Sequence, residues 1–208
     1  MPDSWYQIVV GSTPLTQGDI LNSVPVFAWD KNAIYVPGPD LTDKATAARV
    51  LKVVDLVVMT QACDLEQNKV GEVVLCPLTP LSGYCEQWCA AKVARGQKPT
   101  DNSFAGDFKH LRDGIIWHQA VLDRSMHAEL PREHQIVSFD EVYSLPRGFL
   151  ESLLTHQDQP RLRLIAPYRE HLSQSFARYF MRVGLPTAVA APPPIVQPGA
   201  PAHTQPAE

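Results

Sequence analysis

Thr60-Gln61-Ala62-Cys63-Asp64 places a hydroxyl, an amide, a thiol and a carboxylate within five residues, directly after an apolar run. A loop leaving a rigid strand is where folds commonly present reactive groups. A thiol there attacks as the thiolate and needs a base or a cation beside it. His171, within Arg169-Glu170-His171, is the candidate base for Cys63 if the fold brings the two together. The same residues also read structurally. Thr60 can bond the backbone, Asp64 can cap a turn, and Cys63 can fill a small apolar space. Glu170 suits the start of a helix, Arg169 suits an ion pair with a barrel carboxylate, and His171 suits an exposed position.

Other groups suggest other chemistries. Cys85 and Cys89 are four apart, so they share one face of a helix, and with Cys76 and His110 or His118 they compose a zinc set. The Cys-x3-Cys spacing without a second tight pair favours buried apolar thiols, and we expect no metal. Tyr84, Trp88 and Trp117 with Lys92, Arg95 and Lys98 offer base stacking, against a core role for rings at helical spacing. Arg161, Arg163, Arg169 and Arg178 concentrate positive charge in the C-terminal half and are the best phosphate-facing candidates.

These groups need elements to hold them. The 208 residues carry 45% hydrophobic and 19% charged residues, ordinary for a globular chain, and a net charge of -4. That charge argues against tight nonspecific nucleic-acid binding. Without an apolar run of about 18 residues or a secretory leader pattern, the chain reads as cytoplasmic with reduced thiols. Residues 50–59 and 70–78 read as two buried strands. Residues 20–27, 136–139 and 161–165 read as further strands, the last with Arg161 and Arg163 exposed. Residues 82–95 and a stretch after Pro146 read as helices. Pro167 opens a terminal helix with Leu172, Phe176, Phe180 and Val183 on one face, ended by Gly184 and Pro186. Residues 97–108 read as polar and glycine-containing. Strands and helices in mixed order argue α+β, with one domain over residues 1–186 and a helical insertion at about 82–130. Six of the 19 prolines follow Thr187, so residues 187–208 read as a disordered Pro/Ala-rich tail.

Gly18-Asp19-Ile20 with Pro25, then Val57-Val58-Met59, then Val73-Val74-Leu75-Cys76-Pro77-Leu78-Thr79 resemble, in that order, the MazF/PemK-like family of bacterial toxins. The resemblance covers about half the chain. It implies a small SH3-like antiparallel β-barrel and a metal-independent endoribonuclease needing no cofactor. It places Thr79 at the family's catalytic hydroxyl. The family's arginine position falls on Val54-Asp55 here, so Arg49 or Lys52 would have to supply the cation that stabilises phosphate charge. With the residue readings above, Thr79, Cys63, Asp64, Arg169 and His171 are the candidate catalytic set. Thr60, Gln61, Arg161, Arg163 and Tyr168 are the candidate binding set. The expected partner is RNA, or a protein within a bacterial stress or defence module, with a homodimer allowed. Three readings compete: an RNA-directed nuclease or its degenerate derivative, a non-catalytic protein- or nucleic-acid-binding module, and a thiol enzyme using Cys63.

Overall fold

The structure is a computed structural model that describes residues 4–35, 38, 44, 45 and 47–181. The expected tail at 187–208 and the helix end at Val183, Gly184 and Pro186 lie outside them. The first elements are β1 (Tyr6–Val9), β2 (Ile20–Trp29), β3 (Arg49–Val58), the short helix α1 (Ala62–Glu66) and β4 (Glu72–Pro80). Next come α2 (Leu81–Ala94), α3 (Asp101–Arg112), β5 (Gln119–Leu122), β6 (Gln135–Ser138) and β7 (Tyr143–Pro146). The described chain closes with α4 (Arg147–Gln157), β8 (Arg161–Leu164) and α5 (Tyr168–Phe180).

The architecture is α+β and the strand pairs are antiparallel. Six strands form an open sheet ordered β2-β3-β4-β6-β5, with β7 also paired to β4, and β1 pairs with β8 as a separate ribbon. The two apolar runs lie side by side, with Leu56–Val58 opposite Leu75–Pro77. β4 is shared along its length: its first residues pair with β7, and Leu78–Pro80 pair with β6.

The continuity of those runs follows from burial on both faces. Leu56, Val58, Val73 and Leu75 join one core cluster with Leu150 and Leu154 of α4. Val57, Cys76 and Leu78 join another with Leu162 and Leu164 of β8 and Leu172 of α5.

The structure adds two elements and corrects one reading. Within the polar stretch 97–108, α3 starts at Asp101 behind a capping box made by Thr100 and Ser103. Tyr6–Val9 forms a strand that so short a run did not signal. Neither arginine of β8 is exposed: only 2% of Arg161 meets solvent, and Arg163 is partly buried against Asp19.

Arg161 sits at the junction of ribbon and sheet. Its Nε donates to Asp19 Oδ2 at 3.0 Å. Its terminal nitrogens donate to the carbonyls of Val10, Gly11, Thr13 and Pro14. All five N–H groups of the guanidinium are thereby used. Arg163 also grips Asp19, through Nε to Oδ1 and through Nη2 to Oδ2 at 2.9 Å. Asp19 is fully buried. Gly18 precedes it with φ +83°, and a Cβ there would lie 3.0 Å from Leu164 Cβ. Its amide donates to Val58 and its carbonyl accepts from Leu164, so it stitches ribbon to sheet where a side chain does not fit.

A buried charge is tolerable only when paired, and removing one partner strands the other. Asp19→Asn is therefore expected to cost about 3–5 kcal/mol of folding stability. Urea unfolding of the two proteins measures this, and a loss below about 1 kcal/mol would show that the cluster does not support the fold.

Candidate functional site

Residues 13–16, in the arginine-clamped segment, form one wall of a polar cleft of about 550 Å³. Leu65, Glu66 and Asn68, at and after the end of α1, form another. Three arginines from three elements reach it: Arg147 at the start of α4, Arg163 on β8 and Arg169 in the first turn of α5. Its size is that of a small-ligand pocket, within the usual range of roughly 300–1,000 Å³.

Local sequence fixes two of these positions. Pro146 and Pro167 each stand just before a helix, which puts Arg147 and Arg169 in first turns. A cation there opposes the helix macrodipole, which favours carboxylates by roughly 0.3–1 kcal/mol. Acidic neighbours hold both arginines. Arg147 Nε donates to Glu151 at 2.6 Å, and its Nη1 donates to the Leu65 carbonyl at 2.8 Å. Arg169 donates from Nε and Nη2 to Glu170 Oε1 at 3.1 and 2.7 Å. The same pairing holds the Glu170 carboxyl below the usual range. Each cleft arginine keeps one terminal nitrogen without a protein partner among the described residues: Arg147 Nη2, Arg163 Nη1 and Arg169 Nη1. The Thr16 hydroxyl oxygen, at the same cleft, is buried with no hydrogen-bond partner.

The sequence candidates divide between places. Arg163 and Arg169 come together here. Arg161 stands behind them with every donor used, as a positioning residue. His171 is two residues beyond Arg169, so it points to the other side of α5. It lines a groove of about 210 Å³ with Trp5, Tyr168 and Leu172. Tyr168 stacks on Trp5 with centroids 4.2 Å apart. Thr79 lies seven residues along β4 from Glu72, which is where the chain meets Arg147, so it is roughly 20 Å from that arginine at about 3.3 Å per residue.

The Thr60–Asp64 segment is built as a turn into α1. The Thr60 hydroxyl accepts from the Val74 amide at 2.7 Å. Cys63 is exposed, and its sulfur faces Gln61 Oε1 and Asp64 Oδ1, each 3.7 Å away. These are acceptors rather than cations, and His171 is not bonded to it. Asp55 accepts from Arg132 Nη2 at 3.0 Å. Lys52 pairs instead with Glu141 at 3.2 Å, and Arg49 lies over the Phe27 ring.

No family model, no curated protein and no solved structure matches this chain.

The remaining groups mostly pack. Trp88 bonds Asp107 at 2.9 Å and meets Phe104 edge to face, which joins α2 to α3. Among the described residues, no group of three His, Cys, Asp or Glu is placed to hold a metal ion. No described helix is long and apolar enough to cross a membrane.

Sequence reasoning missed Arg147. It stands one residue after a proline in an otherwise apolar stretch, and only its proximity to Leu65 and Gly71 brings it to the cleft.

Burial pushes the Cys76 thiol up to about 12, so almost none is thiolate at pH 8. A thiol reagent at that pH is expected to label exposed Cys63 in the folded protein and Cys76 only after denaturation. Peptide mapping of the labelled sites reads the difference, and native labelling of Cys76 would contradict its burial.

Proposed function

We propose that this protein is an RNA-binding module that captures backbone phosphates in the cleft of Arg147, Arg163 and Arg169. The carrying observation is the convergence of three guanidinium groups, each with an uncommitted nitrogen, on one polar cleft. Guanidinium groups match phosphate oxygens in charge and geometry. The two helix N-termini at the cleft add partial positive charge of the same sign. The chain's net charge of -4 makes such binding local, confined to the cleft.

Binding without cleavage is the reading these positions favour. Thr79 lies at the far end of β4 from Arg147, and His171 faces a separate groove. The thiol reading has less support, because Cys63 has neither base nor cation bonded to it. Kinship with the MazF/PemK-like toxins belongs to the same proposal, as does an SH3-like barrel. Their support is the order of the Gly18-Asp19-Ile20, Pro25 and strand motifs, and the way β4 leaves β3 and β7 to pair with β6.

Fluorescence anisotropy with a labelled single-stranded RNA tests the reading. Three phosphate contacts predict that log K falls against log salt with a slope near -2, at about 0.7 per contact. Arg169→Ala and Arg147→Ala are each expected to weaken binding about tenfold and to flatten the slope by about 0.7. RNA binding that neither variant changes, or no binding at about 100 µM, would defeat the proposal. Cleavage of the same RNA, abolished by Thr79→Ala, would favour the nuclease reading instead.

A further inference from the structure

α5 separates two spaces. Arg169 reaches the arginine cleft, and the groove of about 210 Å³ holds His171 and Tyr168. Spacings of three and four residues put Tyr168, His171, Ser175 and Arg178 on one face of the helix. The end of α3, with Leu111 and Arg112, and strand β5 supply the facing wall. A smaller hollow of about 30 Å³ shares Gly114, Gln119 and Ser175 with the groove and carries it on to Trp117 and Arg178. Tyr168 lies parallel on Trp5, and His171 stands nearly perpendicular to Tyr168, with 87° between the ring planes. Three rings therefore bound one end of the groove as a corner.

We infer, resting on the RNA-binding reading, that this groove is a nucleobase subsite, which takes a base of the strand whose phosphate lies in the arginine cleft. Charge supports an anionic strand here. Among the described residues, the groove and its extension are lined by Arg112, His171 and Arg178 and by no Asp or Glu, on a chain of net charge -4. Arg112 donates from Nε to Asp113 at 3.1 Å, which leaves its terminal nitrogens for an outside acceptor. The rings support a flat ligand, because every base has a π-face that stacks on aromatic side chains. Size supports a single base. The groove is smaller than the roughly 300 Å³ at which pockets for whole small ligands begin. Continuity with the cleft supplies the strand. Tyr168 and Arg169 are consecutive, with Cα atoms about 3.8 Å apart. A strand crossing the start of α5 can therefore leave its phosphate with Arg169 and its base with Tyr168.

Fluorescence anisotropy of the full chain in low salt compares a short labelled RNA with a strand of the same sugar–phosphate chain lacking its bases. The RNA is expected to bind about tenfold more tightly. Arg147→Ala, which touches only the phosphate side, is expected to weaken both strands alike. Tyr168→Leu keeps an apolar side chain against Trp5, and His171→Ala changes an exposed residue. Each is expected to weaken the RNA about fivefold and to leave the base-free strand unchanged, with the same far-ultraviolet circular dichroism as the parent. Equal affinity for the two strands, both weakened by Arg147→Ala, overturns the nucleobase subsite and leaves the phosphate cleft standing. A preference for RNA that survives Tyr168→Leu and His171→Ala puts the bases elsewhere and overturns it as well. Failure of both strands to bind at about 100 µM overturns it together with the RNA-binding reading.

Discussion

The ion cluster of Asp19, Arg161 and Arg163 is the constraint on which the other features rest. Asp19 belongs to the edge of the six-stranded sheet and the arginines belong to the two-stranded ribbon. Neither layer satisfies its buried charges alone, so folding must bring them into register. Once formed, Arg161 spends its remaining donors on the carbonyls of residues 10–14. That segment would otherwise leave backbone acceptors unbonded at the junction. One carboxylate therefore fixes the layer contact, the course of the N-terminal loop and a wall of the cleft.

The cluster also explains how three arginines come to one cleft on an acidic protein. Arg161 and Arg163 differ by two residues on one strand and have different surroundings. Arg161 is enclosed by carbonyls and cannot reach a ligand. Arg163 shares Asp19 and still lines the open space. Arg147 and Arg169 come from helices packed on opposite faces of the sheet, each braced by its own glutamate. Positioning by acidic partners keeps the guanidinium groups ordered, and it leaves each one nitrogen for an outside anion. The electrostatic cost of placing arginine at two helix starts is thereby offset locally.

The ribbon of β2 and β3 shows a different balance. Near the core its residues alternate between two buried surfaces. Farther out, one face remains anchored and the other carries Phe27, Trp29, Leu51 and Val53 into solvent. That face and the arginine cleft are separate surfaces.

Much of the fold was legible from local pattern. The apolar runs of β3 and β4 declare burial on both faces, Pro167 sets the start of α5, and mixed strand and helix order declares α+β. α3 was hidden because its capping box uses Ser103, a weaker signal than glutamate, before a polar and glycine-containing stretch. The candidate site was legible only in part. Arg163 and Arg169 stood out as basic residues, but alternation along β8 suggested that Arg161 was exposed. A buried carboxylate 142 residues away reversed that, and local sequence cannot encode such a distant contact. Spacing likewise could not place Thr79 far from Arg147, since that depends on how β4 is laid into the sheet. The sequence by itself determined which segments are buried and where helices start, because periodicity and proline act over a few residues. The tertiary structure alone decided which arginines face a ligand, because that depends on which acid or carbonyl each one meets first.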